Sequence, residues 1–453
     1  MPTTAPTAPA DHPAWLDLLT GDAAGDVLAA ALAADGAGVE SWSVRQVHAR
    51  PGAEVTVAYE VVARRGTGDG AVRVTEHLFA TSAPDTSFRR ARGAGDRGDG
   101  PGPGVVRLDD GARALHVWRH PHDPALPGLE AGSTPSRVEG RLRDAGLDVA
   151  VRSLETVTYR PLRRAVLRAR TGDAGAAGGS AAERVGTAYV KVVRPSKVGD
   201  LVRRHALFAG HPRAAAVVAP RVLTWSADGV VLLEEVPGVS VAERIAGTPA
   251  AAQAACLDPA EVLRVATRLP GAGRALPRRP AWADRLGRYA HAVVSVQGVP
   301  AERMEGLAAR IRAAAAAGDP GPLGVTHGDL HAANLLLEPA PVAAASPSGR
   351  AVAPRVGAVL DVDTLGPGHL VDDLACAVAH LAVLPVLDPA AYAGVGGLVR
   401  RWLAAFDAEV DPALLRARAA AVVVSLAAGT QDAATAEAFL AVAERLVGAA
   451  AEV

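Results

Sequence analysis

The chain has 453 residues, a formal net charge of −1 and 49% hydrophobic residues, of which only a small part is aromatic. That length exceeds one compact core and predicts two or three domains, while the balanced charge excludes a nucleic-acid or anionic-membrane surface as a main partner. Two distant cysteines, Cys256 and Cys376, form no CxxC pair; they point to a reducing, cytoplasmic setting without a zinc site.

In chain order, residues 1–13 are rich in Pro, Thr and Ala and read as a disordered tail, with no apolar leader. A helix is predicted at 22–34. Strand-like runs follow at Gln46–Arg50, Glu54–Val62, 71–80 and 112–119, interrupted by a Gly/Asp/Arg-rich loop at Arg92–Gly104. His120-Pro121-His122-Asp123-Pro124 reads as a rigid surface turn rather than a metal site. A helix at 134–145 opens a second unit. Thr156 to Arg168 then reads as strand, turn, strand. This hairpin echoes Gln46 to Ala58 at an offset of 110, with Arg-Pro in both turns (Arg50-Pro51, Arg160-Pro161). A faint internal repeat and two independently similar hairpins both account for the echo. After a Gly/Ala loop at Thr171–Gly186 comes a β-branched strand carrying Lys191, then a helix at 197–209 and strands at 216–225 and 229–236. From 239 onward the apolar spacing is helical, with helices at 259–269, 281–297 and 302–316. Glu338–Pro354 is an aperiodic Pro/Ala/Ser linker. No 18-residue apolar run is free of charge, so no membrane span is expected.

The chemistry concentrates in His327-Gly328-Asp329-Leu330-His331-Ala332-Ala333-Asn334 and in Val359-Leu360-Asp361-Val362-Asp363. Asn334 is the single asparagine, and Lys191 is one of two lysines beside 45 arginines. Residue types this scarce carry weight where they persist. Phosphoryl transfer needs an oriented acceptor for a hydroxyl proton, hard oxygen ligands for Mg²⁺, and a fixed cation on the phosphates. Asp329 supplies the first, Asn334 and Asp361 the second and Lys191 the third, and their chain order, Lys191, Asp329, Asn334, Asp361, is the order kinases use. Asp363 would share Asp361's face in a strand and join it on the metal; a solvated strand end is the alternative. His327 is expected to hold the loop rather than to react, and His331 is a loop residue with a possible acceptor contact.

These motifs resemble the aminoglycoside phosphotransferase and choline kinase superfamily. HGDLHAANLLL at 327–337, VLDVD at 359–363 and Gly368 to Ala375 carry the resemblance. It implies an α+β fold: a protein-kinase-like bilobal fold with an additional N-terminal α/β cap domain. The implied domains are a cap at 14–133, an N-lobe at 134–238 and a helical C-lobe at 239–453. It also implies ATP as phosphoryl donor with Mg²⁺, a structural role for Asp373, and adenine contacts along a hinge at Glu234, Glu235 and Val236. The family's phosphate-covering turn falls on Pro161 to Arg164. That turn lacks glycine here, so Arg163 or Arg164 is expected to reach phosphate. His205 stands where the family's helix glutamate pairs with the lysine. Maltokinase- and glucosamine-kinase-type enzymes of the superfamily have a cap of similar size. The expected product is therefore the phosphate of a sugar or amino sugar. An aminoglycoside phosphotransferase and a nucleotide-binding regulatory pseudokinase are the alternatives. The region after 381 has a net charge of −3 (eight acids, five arginines). Asp432, Glu437 and Glu444 are its candidates for an acceptor amine. A small-molecule partner and a monomer or weak dimer complete the expectation.

Overall fold

The computed structural model describes residues 12–49, 54–66, 71–92, 104–109, 114–173, 186–209, 217–339, 354–430 and 432–448. The predicted tail and the loops at Arg92–Gly104, Thr171–Gly186 and Glu338–Pro354 lie wholly or largely outside them. Two compact units are present: Met1–Val202 with Val222–Glu235, and Arg203–Arg221 with Val236–Val453.

The first unit holds two five-stranded antiparallel sheets. One combines helices α1 (His12–Thr20), α2 (Ala24–Ala33) and α3 (Asp85–Arg92) with strands β1 (Ala37–Ala49), β2 (Val55–Arg65), β3 (Val72–Thr81), β4 (Val105–Asp109) and β5 (Ala114–Arg119). The other combines α4 (Leu129–Gly132), α5 (Pro135–Asp144) and α6 (Pro195–Ala206) with β6 (Val149–Arg160), β7 (Arg164–Asp173), β8 (Gly186–Val193), β9 (Val222–Trp225) and β10 (Val230–Glu234). Both run helix, helix, three strands, helix, two strands. Their strand orders correspond, β1-β2-β3-β5-β4 and β6-β7-β8-β10-β9. The opening hairpins even break register alike. Shifts fall at Val39/Ser41 and Val44/Gln46 in one, and at Val151/Ser153 and Thr156/Thr158 in the other, each 112 residues later. Such bulges bend and twist a strand locally, so the two hairpins bend at matching places.

Burial follows the period-2 rule for strands. In the first sheet Val55, Val57, Leu78, Ala80 and Val117 face α1 and α2, while Ala58, Phe79 and Trp118 join Phe88 and Ala91 of α3. In the second, Ala165, Leu167, Val190, Val192 and Leu232 join Val138 and Leu142 of α5. Val193, Val231 and Leu233 meet Val198 and Leu201 of α6. Sequence reading missed α1, α3 and β4, because each is short.

The second unit is mainly helical. Its helices are α7 (Val241–Ala246), α8 (Ala250–Gln253), α9 (Pro259–Thr267), α10 (Leu286–Gln297), α11 (Ala301–Ala317), α12 (Leu370–Leu387), α13 (Val395–Phe406), α14 (Pro412–Ala427) and α15 (Ala433–Gly448). A Ser240–Glu243 capping box starts α7, and Asp258 and Asp411 cap α9 and α14. Short strands β11 (Val239–Ser240), β12 (Leu323–Thr326), β13 (Leu335–Leu337), β14 (Val356–Val359) and β15 (Gly366–His369) form two small sheets, β11-β13-β14 and β12-β15. Among the described residues α12 is long and apolar enough to cross a membrane by composition. It also carries Asp372 and Asp373 and buries Val371, Leu374, Val378 and Leu381 in the core.

Candidate active site

The loop between β12 and β13 holds Asp329 and Asn334, and its backbone is fixed from three sides. The Asp373 carboxylate accepts the N–H groups of His327 and Gly328, both at 2.8 Å. Thr364 Oγ1 donates to the His327 carbonyl at 2.8 Å, and Trp282 Nε1 donates to the Gly328 carbonyl at 2.9 Å. Gly328 sits at φ +80°, and a Cβ there would meet Thr364 at 3.0 Å. The position therefore requires glycine twice over, by conformation and by space.

His327 is fully buried; its Nε2 bonds the Leu360 carbonyl at 2.8 Å and its Nδ1 accepts from Asp329 N at 3.3 Å. Burial lowers its pKa against the opposing charges of Asp329 and Asp361. The ring is thus neutral in one tautomer. Asp373, also fully buried, is pushed up to about 7 by desolvation, partly offset by the two N–H groups it accepts. Both residues brace the loop.

Asn334 bridges this loop to the segment that carries Asp361. Its amide nitrogen donates to the Asp329 carbonyl at 3.0 Å and lies 3.1 Å from His331 Nε2. The amide oxygen is thereby turned away from that carbonyl and remains available as an acceptor. The Asn334 carbonyl accepts from Leu360 N at 2.9 Å, next to the Leu335–Val359 pair of β13 and β14. Asp361 follows directly. It adopts φ 53°, ψ 52°, a left-handed conformation uncommon outside glycine. Here the expectation from sequence is corrected. Asp361 and Asp363 do not share a strand face, because β14 ends at Val359 and Val362–Thr364 forms a 3₁₀ turn. The amide and the two carboxylates offer oxygen donors only, the set that hard Mg²⁺ prefers, so the residues present fit that ion.

Sequence reading missed two side chains beside Asp329. Cys376 Sγ lies 3.8 Å from Asp329 Oδ1, and a ring nitrogen of His380 completes a cluster whose ligand atoms all fall within 4.8 Å of one another. The signal was present: Cys376 and His380 are four apart on α12 and so share a face. His380 stacks on His331 with centroids 4.3 Å apart. Both rings line a cavity of about 410 Å³ walled by Ala242, Val383, Leu384, Leu387, Leu426 and Phe439, with Thr430, Asp432 and Thr435 also lining it. Its volume suits a small ligand.

The other predicted contacts fall differently. Glu437 and Glu444 share a face of α15, as expected, but the Arg303 guanidinium engages both, Glu444 at 2.8 Å. That pairing lowers the pKa of Glu444 and occupies the two carboxylates proposed for an amine. Asp432 caps α15, accepting from Thr435 N and Oγ1 at 2.8 Å, and lines the cavity. His205 bonds the Pro220 carbonyl at 2.7 Å.

In the first unit Lys191 is buried on β8, paired with Val166 and Val231. Glu234 ends β10 exposed; Glu235 is exposed and Val236 half-buried. The turn Pro161–Arg163 is held hard. Leu162 sits at φ 61°; its N–H donates to Asp123 at 2.7 Å and its carbonyl accepts from Arg194 Nε at 2.6 Å. Arg163 is exposed and Arg164 half-buried. Asp123, 3% exposed, also accepts from Tyr159 Oη at 2.7 Å and Ala125 N at 2.8 Å. The expected surface turn at 120–124 is thus corrected: its aspartate is an internal tether. A run of His and Pro conceals this, because only distant partners bury the carboxylate.

A profile described as the phosphotransferase enzyme family matches residues 180–421, more than half of the chain. Solved structures with similarity include macrolide 2'-phosphotransferase MphH from Brachybacterium faecium (20% identity, 68% of this chain and 97% of that one, TM-score 0.34). Another is aminoglycoside phosphotransferase APH(3'')-Id from Streptomyces rimosus (21%, 69% and 98%, TM-score 0.35). A third is a microcompartment-associated aminopropanol kinase (18%, 66% and 91%, TM-score 0.42). A search of curated proteins gave no match. With that profile match covering more than half of the chain beside the braced Asp329 loop, the chain belongs to the phosphotransferase enzyme family.

Proposed function

We propose that the enzyme transfers the γ-phosphoryl of ATP to a hydroxyl of a small amine-bearing acceptor, an amino sugar of the glucosamine kind being the first candidate. The observation that carries this reading is the placement of Asp329. The backbone of His327 and Gly328 just before it is pinned through Asp373, Thr364 and Trp282, and its carboxylate lies beside His380, which lines the 410 Å³ cavity. A hydroxyl entering from the cavity would give its proton to Asp329. Asn334 and Asp361 would hold Mg²⁺, with Asp363 beside them. That ion neutralises phosphate charge when bound. Lys191 supplies a fixed cation for the phosphates, the Glu234–Val236 backbone meets the adenine, and Arg163 or Arg164 reaches phosphate from the turn.

The cavity also supports a choice of acceptor. Its wall is mostly aliphatic and Asp432 is the acidic member of its lining. One carboxylate and two histidines suit a single basic nitrogen on a compact molecule. A polycationic aminoglycoside needs several acids, and Glu437 and Glu444 already pair with Arg303. A regulatory pseudokinase would not need Asp329, Asn334, Asp361 and Lys191 together.

Two measurements test this reading. Asp329→Asn should lower kcat by roughly 10²- to 10⁴-fold with ATP binding near normal; wild-type turnover in that variant removes Asp329 from the chemistry. ADP release is then compared across glucosamine, glucose, aminopropanol and an aminoglycoside. Equal turnover of glucosamine and glucose would reject the amine requirement.

A further inference from the structure

We propose that Asp329, Cys376 and His380 form a binding site for a thiophilic divalent cation such as Zn²⁺, and that its occupancy switches the kinase off. The switching half of this proposal rests on Asp329 being the proton acceptor; the binding half does not.

The three side chains meet the requirements of a borderline-soft ion. They offer one sulfur, one imidazole nitrogen and one carboxylate oxygen, the ligand types zinc takes. Their ligand atoms lie within 4.8 Å of one another, with the sulfur 3.8 Å from the Asp329 oxygen. Tetrahedral zinc separates such atoms by roughly 3.5 Å, given bond lengths of about 2.0–2.3 Å. Closing the cluster takes a shift of about an ångström, and the half-buried His380 ring borders the open cavity where it can make that shift. Cys376 and His380 sit one turn apart on α12, a rigid platform that sets two ligands in advance. The cavity that His380 lines gives an entry path to its imidazole. Burial holds the His380 pKa down at about 3, so the ring is neutral and its lone pair is free for a cation. The stacked His331 ring backs it.

This site is distinct in chemistry from the oxygen-only set of Asn334, Asp361 and Asp363. Mg²⁺ has little preference for a thiolate, so the two sites select different metals. On binding, the Cys376 thiol proton, which points to Asp329 Oδ1, leaves to solvent and the sulfur coordinates as thiolate. The Asp329 oxygen then donates its electron pair to the ion and cannot accept a hydroxyl proton.

The test uses Co²⁺ as an optical probe and Zn²⁺ as the ligand, on the full chain without nucleotide. Wild-type protein should bind one Co²⁺ with a thiolate-to-cobalt charge-transfer absorption. Cys256→Ser should keep that band, Cys376→Ser should lose it, and His380→Gln should weaken binding at least tenfold. His380→Gln changes a residue that borders the cavity, so it reports even if the buried Cys376→Ser variant folds poorly. No band in wild type, or a band that survives in folded Cys376→Ser, overturns the site. Zn²⁺ should then inhibit turnover of the best panel acceptor in wild type, and Cys376→Ser should resist it. Stoichiometric Zn²⁺ binding with full turnover would overturn the switch, while a loss of turnover in Asp329→Asn in the same assay would show that proton acceptance still stands.

Discussion

The two sheets of the first unit share an order of elements, a strand order and the positions of their bulges, yet differ at one decisive place. Following the cross-strand register, Gln46 pairs with Ala58, Ala58 with Phe79, and Phe79 with Trp118. The corresponding path in the second sheet runs Thr158, Val166, Lys191, Val231. Phe79 therefore stands where Lys191 stands. The lysine position in the first sheet is filled by a ring that stacks on Trp118 at 5.5 Å and meets Tyr159 edge-on at 5.1 Å. One scaffold thus serves two ends: the second sheet presents a cation, and the first uses the same position for a joint. That joint reaches the hairpin turn of the second sheet through Tyr159, Leu162 and Asp123. Chemistry here belongs to residues placed on a fold rather than to the fold itself.

The comparison breaks if the two positions respond alike. Phe79→Ala removes a buried ring and should cost about 3–5 kcal/mol of stability, read by chemical denaturation. Lys191→Met keeps the length and removes the charge. It should lower kcat/KM for ATP by roughly 10²- to 10³-fold, read by steady-state kinetics. A Phe79→Ala protein that kept full stability, or a Lys191→Met protein with normal ATP kinetics, would show that the equivalence is only geometric.

Asp123→Ala sharpens the role of the joint. It strands the Leu162 and Ala125 N–H groups and the Tyr159 hydroxyl, each costing about 1–3 kcal/mol if left buried without a partner. Released from its tether, the Leu162 turn should raise KM for ATP severalfold with little change in kcat. An unchanged KM in folded variant protein would dissociate the joint from the nucleotide.

The smallest effect is a pH slope. Burial raises the Asp123 pKa, against the hydrogen bonds it accepts from Leu162, Tyr159 and Ala125. A raised carboxyl pKa means that the folded state holds the proton more tightly than the unfolded one. The stability this group adds is complete below the unfolded value and declines as pH rises through the folded value. The stability difference between wild type and Asp123→Asn should therefore shrink from pH 4 upward. A difference that grows with pH would reverse the sign and make the ionised form the native one.

Much of this was legible in the chain. Hairpins, strand runs and long helices follow from period-2 and period-3.6 spacing, since those spacings reflect one-sided burial. The string from His327 to Asn334 places a carboxylate, a glycine and an amide in one short loop, and short loops keep sequence neighbours close in space. The hairpin echo was also visible, because bulges and turns are local, although the chain read alone placed it at an offset of 110 where the strand registers give 112. Short elements such as α3 and β4 were not, for a few residues carry too little periodicity.

What the sequence determined by itself is the local chemistry: which residues share the loop from His327 to Asn334, and where the hairpins turn. Only the tertiary structure decided the partners. Cys376 and His380 reach Asp329 because α12 packs beneath the loop, some fifty residues away in sequence. Arg303 engages Glu437 and Glu444 because α11 lies against α15. Asp123 became a buried tether because a second sheet brings Tyr159 and Leu162 to it. A side chain's charge and size are written locally, but its desolvation and its neighbours are set by chain packing over long separations, and these decide what the group can do.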